Sequence, residues 1–234
     1  LIMKKKNKFI FIAHRGIYNN LNIPENSMKS FKRAINSNVS IELDIHLTKD
    51  NKLVVFHDDN LIRMTGTYKK IRKCMYDELK QFNLLSTEEK IPLLSDVLKL
   101  VDGKVLIDIE IKDDKRISKT CKELIKLLDN YNGFILIQSF HPKYINYLKK
   151  VRPKYICGLL ITNAKGFCYN IMDSKIILDI LKPDFIAYNK NIISCRKVQK
   201  LREKMCVISW TIKSREELEN IKKYSDSIIT EYFE

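Results

Sequence analysis

The chain has 234 residues, 45% of them hydrophobic and 30% charged, with only 6 Gly and 5 Pro. That is material for one large domain or two small ones with an ample core, and it excludes a flexible linker or a low-complexity segment. The formal net charge of +15 points either to an anionic partner or to a lysine-rich composition that reaches every segment. The lysines spread along predicted helices with little aromatic interleaving, so the second reading is preferred, with steering of an anionic substrate and no nucleic-acid partner.

In chain order, residues 8–13 form a continuous apolar run, as expected of a strand buried on both faces. A helix is expected over 26–37, with Asn26 or Ser27 as its cap. Residues 40–46 alternate: Ile41, Leu43 and Ile45 face one way and Glu42, Asp44 and His46 the other. Residues 48–52 read as a turn, and Leu53 to Phe56 as a short strand joined by a hairpin rather than a helical crossover. The 59–90 segment is less regular, with a helix around Tyr76–Phe82 and charged loops. A short helix over 94–101 precedes an alternating strand from Val105 to Ile111. Helices then follow at 116–129, 143–151, 175–182, 195–203 and 215–223. Strands lie between them at 134–139, 155–161, 185–188, 206–210 and 227–230. Without the hairpin strand the count is eight, nearly all separated by helices. This predicts an α/β chain, a single catalytic (β/α)8 TIM barrel over 1–234 with an extra hairpin strand and a small insertion at about 59–90. A doubly wound sheet is disfavoured because no Gly-rich phosphate turn follows the first strand.

In such a barrel, residues at the C-terminal strand ends share one face. The ends offer His14 and Arg15, Glu42 and Asp44, His57 and Asp58, Glu110 and Lys112, Ser139 and His141, and Trp210. Glu42 and Asp44 are two apart on a strand and point to one face, where two ionised groups need a partner. With Glu110 they make three hard oxygen donors, suited to Mg²⁺ or Ca²⁺. The bland alternative is simple pairing with Arg15 and Lys112. His14 and His57 are the natural general acid and base. Arg15 offers a bidentate fork to a phosphate and Lys112 a point charge. Gly16 permits a close turn behind them. Arg63 is a weaker candidate, balanced against a solvated surface charge; His46 is taken as structural or peripheral, and His141 is ambiguous, with the structural reading preferred.

These residues carry a resemblance. The chain looks like a glycerophosphodiester phosphodiesterase of the short bacterial type. The likeness runs, in order, through His14-Arg15-Gly16, Pro24-Glu25-Asn26-Ser27, Glu42-Leu43-Asp44-Ile45 and Leu47-Thr48-Lys49-Asp50. It continues through Val54-Val55-Phe56-His57-Asp58, Ile91-Pro92-Leu93, Ile109-Glu110-Ile111-Lys112, Gln138-Ser139-Phe140, Trp210-Thr211 and Ile228-Ile229-Thr230. It implies a (β/α)8 barrel hydrolysing glycerophosphodiesters to sn-glycerol 3-phosphate and an alcohol. It implies a divalent metal, Mg²⁺ or Ca²⁺, on Glu42, Asp44 and Glu110, with His14 and His57 as acid and base. Arg15 and Lys112 would hold the phosphate, and Phe140 and Trp210 would line the substrate pocket. Ser27 replaces the usual threonine, and Glu231 stands where an aspartate is common. Two rivals are a lysophospholipase D, which calls for an apolar lip in 59–90, and a non-catalytic barrel that binds anions or nucleic acid.

The six cysteines, Cys74, Cys121, Cys157, Cys168, Cys195 and Cys206, form no CxxC pair and read as free thiols in a reducing compartment, with no zinc spacing. Lys4, Lys5 and Lys6 before Phe9–Ala13 mimic a leader, but the apolar run is short and ends in His-Arg-Gly. No run approaches a membrane span, so no stable membrane insertion is expected and the cytoplasm is the default compartment.

Overall fold

A computed structural model describes residues 9–162, 174–231 and 233. Lys4–Lys6 and Cys168, both singled out in the sequence, lie outside the described residues. The strands are β1 (Ile10–Ala13), β2 (Ser40–Leu47), β3 (Leu53–Val55), β4 (Ile107–Ile111), β5 (Ile135–Ser139), β6 (Ile156–Ile161), β7 (Phe185–Asn189), β8 (Cys206–Ile212) and β9 (Ser227–Thr230). The helices are α1 (Met28–Asn36), α2 (Ile62–Thr65), α3 (Tyr76–Leu79), α4 (Leu94–Val101), α5 (Ile117–Leu128), α6 (Pro142–Val151), α7 (Lys175–Leu181), α8 (Arg196–Arg202) and α9 (Arg215–Ile221). The strand order is β1-β9-β8-β7-β6-β5-β4-β2-β3, with a further β1–β2 pairing. This is the cycle of a (β/α)8 barrel, to which β3 adds the antiparallel hairpin strand.

The chain divides into two compact units. The first, Arg15–Ile135, pairs β2 with β4 in parallel, Glu42 opposite Asp108 and Asp44 opposite Glu110. It pairs β2 with β3 in antiparallel through Ile45–Val55 and Leu47–Leu53. The turn between them closes because the Thr48 hydroxyl donates to Asp50 at 2.7 Å and accepts from the Lys52 amide at 2.8 Å. The 59–90 segment has its own core. Leu61, Met64, Ile71, Cys74, Leu79 and Leu84 pack with Val54, Phe56 and Ile91. Its structure is finer than the sequence pattern suggests: α2, a 3₁₀ turn over Ile71–Lys73, and α3, which stops at Leu79 rather than continuing to Phe82.

The second unit joins the residues up to His14 to Leu136–Glu234. Its strands β5–β6–β7–β8–β9–β1 pair in parallel throughout, each with the next. Strand β8 runs on to Ile212 through an irregularity between Ser209 and Ile212. Strand β1 departs from expectation: Ile12 and Ala13 are buried, but Phe11 is 39% exposed, so the apolar run is not covered on both faces. Phe11 instead meets Phe9 edge-on at 5.4 Å, which shelters part of each ring.

Among the described residues no helix is long and apolar enough to cross a membrane. Cys74, Cys121, Cys157, Cys195 and Cys206 form no disulfide with one another.

Candidate active site

The Arg15–Ile135 unit brings six of the sequence-selected residues into two linked clusters. Alternation along β2 and β4 sends Glu42, Asp44 and Glu110 to one face, and all three are buried. One carboxylate oxygen from each lies within 4.8 Å of the others. Lys112 bridges two of them, its Nζ 2.8 Å from Asp44 and 2.6 Å from Glu110. The Arg15 backbone amide donates to Glu42 at 2.9 Å, and the Arg15 Nε lies 3.4 Å from Asp44.

Burial pushes the Glu42 carboxyl well above the usual range, and the charges of Asp44 and Glu110 add to it. Glu110 is raised to about 7: burial and the Asp44 charge together outweigh Lys112. Burial alone would lower Lys112, but Asp44 and Glu110 raise it, so it is held as a cation. Asp108 is also fully buried, and neither oxygen has a hydrogen-bond partner among the described residues. Burial, then Glu110 and Asp44, drive it well above the carboxylate range. Negative charge therefore exceeds what Arg15 and Lys112 neutralise. The donors are all hard oxygens, so the set fits a divalent cation such as Mg²⁺ or Ca²⁺ and offers nothing to a thiophilic one.

The second cluster surrounds His57. Its Nδ1 lies 2.6 Å from Asp58 Oδ1. The Arg63 guanidinium meets Asp58 through Nε at 2.7 Å and Glu25 through Nη2 at 2.7 Å and Nη1 at 3.0 Å. Glu25, only 4% exposed, also takes the Arg15 Nη1 at 2.7 Å and the Asn20 amide at 3.0 Å. A continuous line thus runs Arg15–Glu25–Arg63–Asp58–His57. Burial would raise Glu25, but the Arg63 and Arg15 contacts bring it below its usual value. Asp58 is likewise held down against burial by Arg63 and His57. Burial lowers the His57 pKa, which keeps the ring neutral near pH 7.

The turn that carries Arg15 explains Pro24-Glu25-Asn26-Ser27. Ser27 caps α1 and exchanges a reciprocal pair of bonds with Ser30. The Ser30 hydroxyl reaches the Arg15 carbonyl at 3.1 Å, and Asn26 donates to Asp44 at 2.8 Å. Gly16 has φ +80°, and a Cβ there would meet the Ser30 Oγ at 2.5 Å, so only glycine fits.

The other unit holds His14, Phe140 and Trp210. His14 Nδ1 lies 2.8 Å from Glu231 Oε1. Burial would raise Glu231, but the His14 bond and the charges of His14 and Lys213 lower it to about 2. Phe140 and Trp210 are half-buried and meet edge-on, 5.5 Å apart at 83°, with the indole N–H donating to the Ala187 carbonyl at 3.0 Å. His141 caps α6 by accepting from the Lys143 amide, and the buried His46 reaches the His57 carbonyl at 3.1 Å.

Four participants carry no assigned role at the site in the sequence reading: Glu25, Asn26 (offered only as a helix cap), Asp58 (named only as a strand-end residue) and Glu231. Asp58 could have been suspected from its place directly after His57. Glu25 and Asn26 sit in the turn after a glycine, and Glu231 lies 217 positions from its histidine, so no local pattern signals their contacts.

Within the Arg15–Ile135 unit, buried oxygen donors flanked by fixed cations, beside a histidine held by a carboxylate, have the make-up of a phosphoryl-handling hydrolytic site. The chain belongs to the Glycerophosphoryl diester phosphodiesterase family, which it matches over residues 14–233. It is 32% identical to a glycerophosphodiester phosphodiesterase of Caldanaerobacter subterraneus subsp. tengcongensis, over 96% of this chain and 94% of that protein. It is 31% identical to one from Bacillus altitudinis, over 72% of this chain and 78% of that protein. Among solved structures it resembles an Oleispira antarctica phosphodiesterase in complex with the product sn-glycerol-3-phosphate. The TM-score is 0.85 at 22% identity, over 95% of this chain and 93% of that one.

Proposed function

We propose that this chain is a metal-dependent glycerophosphodiester phosphodiesterase, releasing sn-glycerol 3-phosphate and an alcohol. The observation that carries the reading is the buried Glu42–Asp44–Glu110 triad, its oxygens within 4.8 Å, beside Arg15 and Lys112 in a chain of this family. The product assignment follows the ligand of the Oleispira protein. The triad would hold Mg²⁺ or Ca²⁺ in a single catalytic domain spanning 1–234, and the cytoplasm is the compartment we assign.

A divalent ion bound there supplies Lewis-acid polarisation of a phosphoryl oxygen and screens its charge. Arg15 and Lys112 bind the phosphate and favour its charge-dense transition state. Neutral His57 accepts at Nε2 the proton of the attacking hydroxyl, of water or of the neighbouring glycerol hydroxyl, as that oxygen bonds to phosphorus, because Nδ1 is committed to Asp58. His14, whose Nδ1 faces Glu231, donates a proton to the leaving alkoxide from its own Nε2. Phe140 and Trp210 would line the substrate pocket.

The alternatives find less support. A lysophospholipase D needs an apolar lip in 59–90; Leu61 and Met64 turn into the segment's own core, and Ile62, Tyr68 and Met75 stay exposed but scattered along the segment. A pure binding barrel has no use for two histidines each oriented by a carboxylate. Incubation with glycerophosphocholine and Mg²⁺ or Ca²⁺ should yield glycerol 3-phosphate, and EDTA should abolish it. His14→Ala and His57→Ala should each lower the rate about a hundredfold or more. Full activity in either variant would overturn the acid/base assignment, and activity surviving rigorous metal removal would overturn the metal's role.

A further inference from the structure

A cleft of about 160 Å³ in the Arg15–Ile135 unit is lined in part by His46, whose ring bonds to the His57 carbonyl, and the proposed phosphate chemistry makes no use of it. Its walls include His46, Asp59, Lys70, Arg72, Asp113 and Lys115. The cleft is small against the several hundred Å³ of a drug-sized ligand site, so it suits a fragment of a few heavy atoms.

Three observations bear on what that fragment is. First, the walls continue directly from the reactive groups. Asp59 follows His57 by two residues, Asp113 follows Lys112, and His46 lies one inward position beyond Asp44 on β2, roughly 7 Å along the strand. The His46 Nε2 is tied to the His57 carbonyl at 3.1 Å, which leaves Nδ1 as the ring atom that can meet a ligand. Second, the opposite wall is fixed. The Ile71 amide donates to the Asp59 carbonyl and the Leu61 amide to the Lys69 carbonyl, both at 3.0 Å. These bonds hold Lys70 and Arg72 against the segment that carries His57.

Third, the lining is charged with both signs and has no aromatic or aliphatic member. Lys70, Arg72 and Lys115 make no ion pair among the described residues. Asp114, which also lines the cleft, is already held by Arg116 at 2.6 Å. Cations without an ion pair, set among Asp59, Asp113 and the His46 ring, suit a group that carries an anion and a primary ammonium together. A trimethylammonium head calls for aromatic faces, and an acyl chain calls for an apolar wall; the cleft offers neither.

We propose that this cleft receives the alcohol half of the diester and selects a zwitterionic alcohol of the serine type, its carboxylate toward Lys70, Arg72 and Lys115 and its ammonium toward Asp59 and His46. The proposal rests on the phosphodiesterase reading and names the substrate class of that site.

The test compares kcat/KM for glycerophosphoserine, glycerophosphoethanolamine, glycerophosphoglycerol and glycerophosphocholine with the full chain and Mg²⁺ or Ca²⁺. The serine diester should exceed the choline diester by about tenfold or more, as expected for one or two charge-assisted hydrogen bonds. Arg72→Ala and Lys70→Ala should each lower that ratio about tenfold, and Arg72→Glu should lower it further. Both side chains lie in loops or at a turn, and a melting curve verifies folding in each variant. Equal turnover of the serine and choline diesters, or a ratio unchanged in the variants, overturns the subsite while the phosphodiesterase reading stands. No turnover of any of the four by the parent chain overturns that reading and the subsite with it.

Discussion

Arg63 is the residue whose removal best tests how this site is held together. Its guanidinium spans two carboxylates: it meets Glu25 through two nitrogens, at 2.7 and 3.0 Å, and Asp58 through Nε at 2.7 Å. Glu25 is 4% exposed and Arg63 side-chain exposure is 41%, so the pair is neither a free surface bridge nor a fully buried one. Breaking a buried pair costs about 3–5 kcal/mol, whereas exposed pairs contribute roughly 0–1 kcal/mol. Glu25 keeps Arg15 and Asn20 after the substitution, so we place Arg63→Ala at about 1–2 kcal/mol. If that loss falls on the geometry of Arg15 and His57, kcat drops about tenfold to thirtyfold, with KM for glycerophosphocholine changing less. The pH–rate profile supplies a readout that a purely structural role would not move. Without Arg63 the Asp58 carboxylate pulls harder on the His57 N–H, so the His57 pKa rises. The acid limb of the profile then moves to higher pH. Arg63→Lys keeps one charge but not the fork, and should recover only part of the rate. Parental kinetics with an unshifted acid limb in Arg63→Ala would refute the reasoning.

Three further outcomes are expected. Glu231→Gln keeps the shape beside His14 but removes the charge, so the His14 pKa falls and its limb of the pH–rate profile moves to lower pH, with kcat down about tenfold; superimposable profiles would sink the pairing. Gly16→Ala places a methyl 2.5 Å from the Ser30 Oγ at φ +80°. It should cost about 2–4 kcal/mol and lower Tm by roughly 5–15 °C in a scanning calorimeter. Asp108 has a carboxyl raised well above its unfolded value. Its contribution to stability is therefore full below the unfolded pKa, near 4, and is lost as pH rises through the folded value. Asp108→Asn, measured by urea unfolding in EDTA, should gain stability over its parent at pH 8 and gain little at pH 4; a gain independent of pH would show that Asp108 does not titrate on unfolding.

The legible and the hidden parts of this molecule differ for one physical reason. A strand reports its faces through a period of two, so Glu42 with Asp44, and Glu110 with Lys112, announced a shared face before any coordinates. A strand also ends where its apolar run ends, which located His14 and His57 to the residue. Contacts made by turns have no period. Asn26 reaches Asp44 at 2.8 Å from a turn 18 positions earlier in the chain, and Arg63 reaches Glu25 across 38 positions. The 59–90 segment reads as charged and irregular in the sequence because its buried residues, Leu61, Met64, Ile71, Cys74, Leu79 and Leu84, come from pieces too short to show a repeat. Its function follows from that packing. A segment with its own core can hold Arg63 firmly enough to bridge Glu25 and Asp58, which a solvated loop could not do without a large entropic cost. In the Arg15–Ile135 unit β2 and β4 thus carry the buried carboxylates, and the aperiodic segments hold the groups around them. Substitutions at Glu25, Asn26, Asp58 or Arg63 should therefore show in kcat before they show in stability.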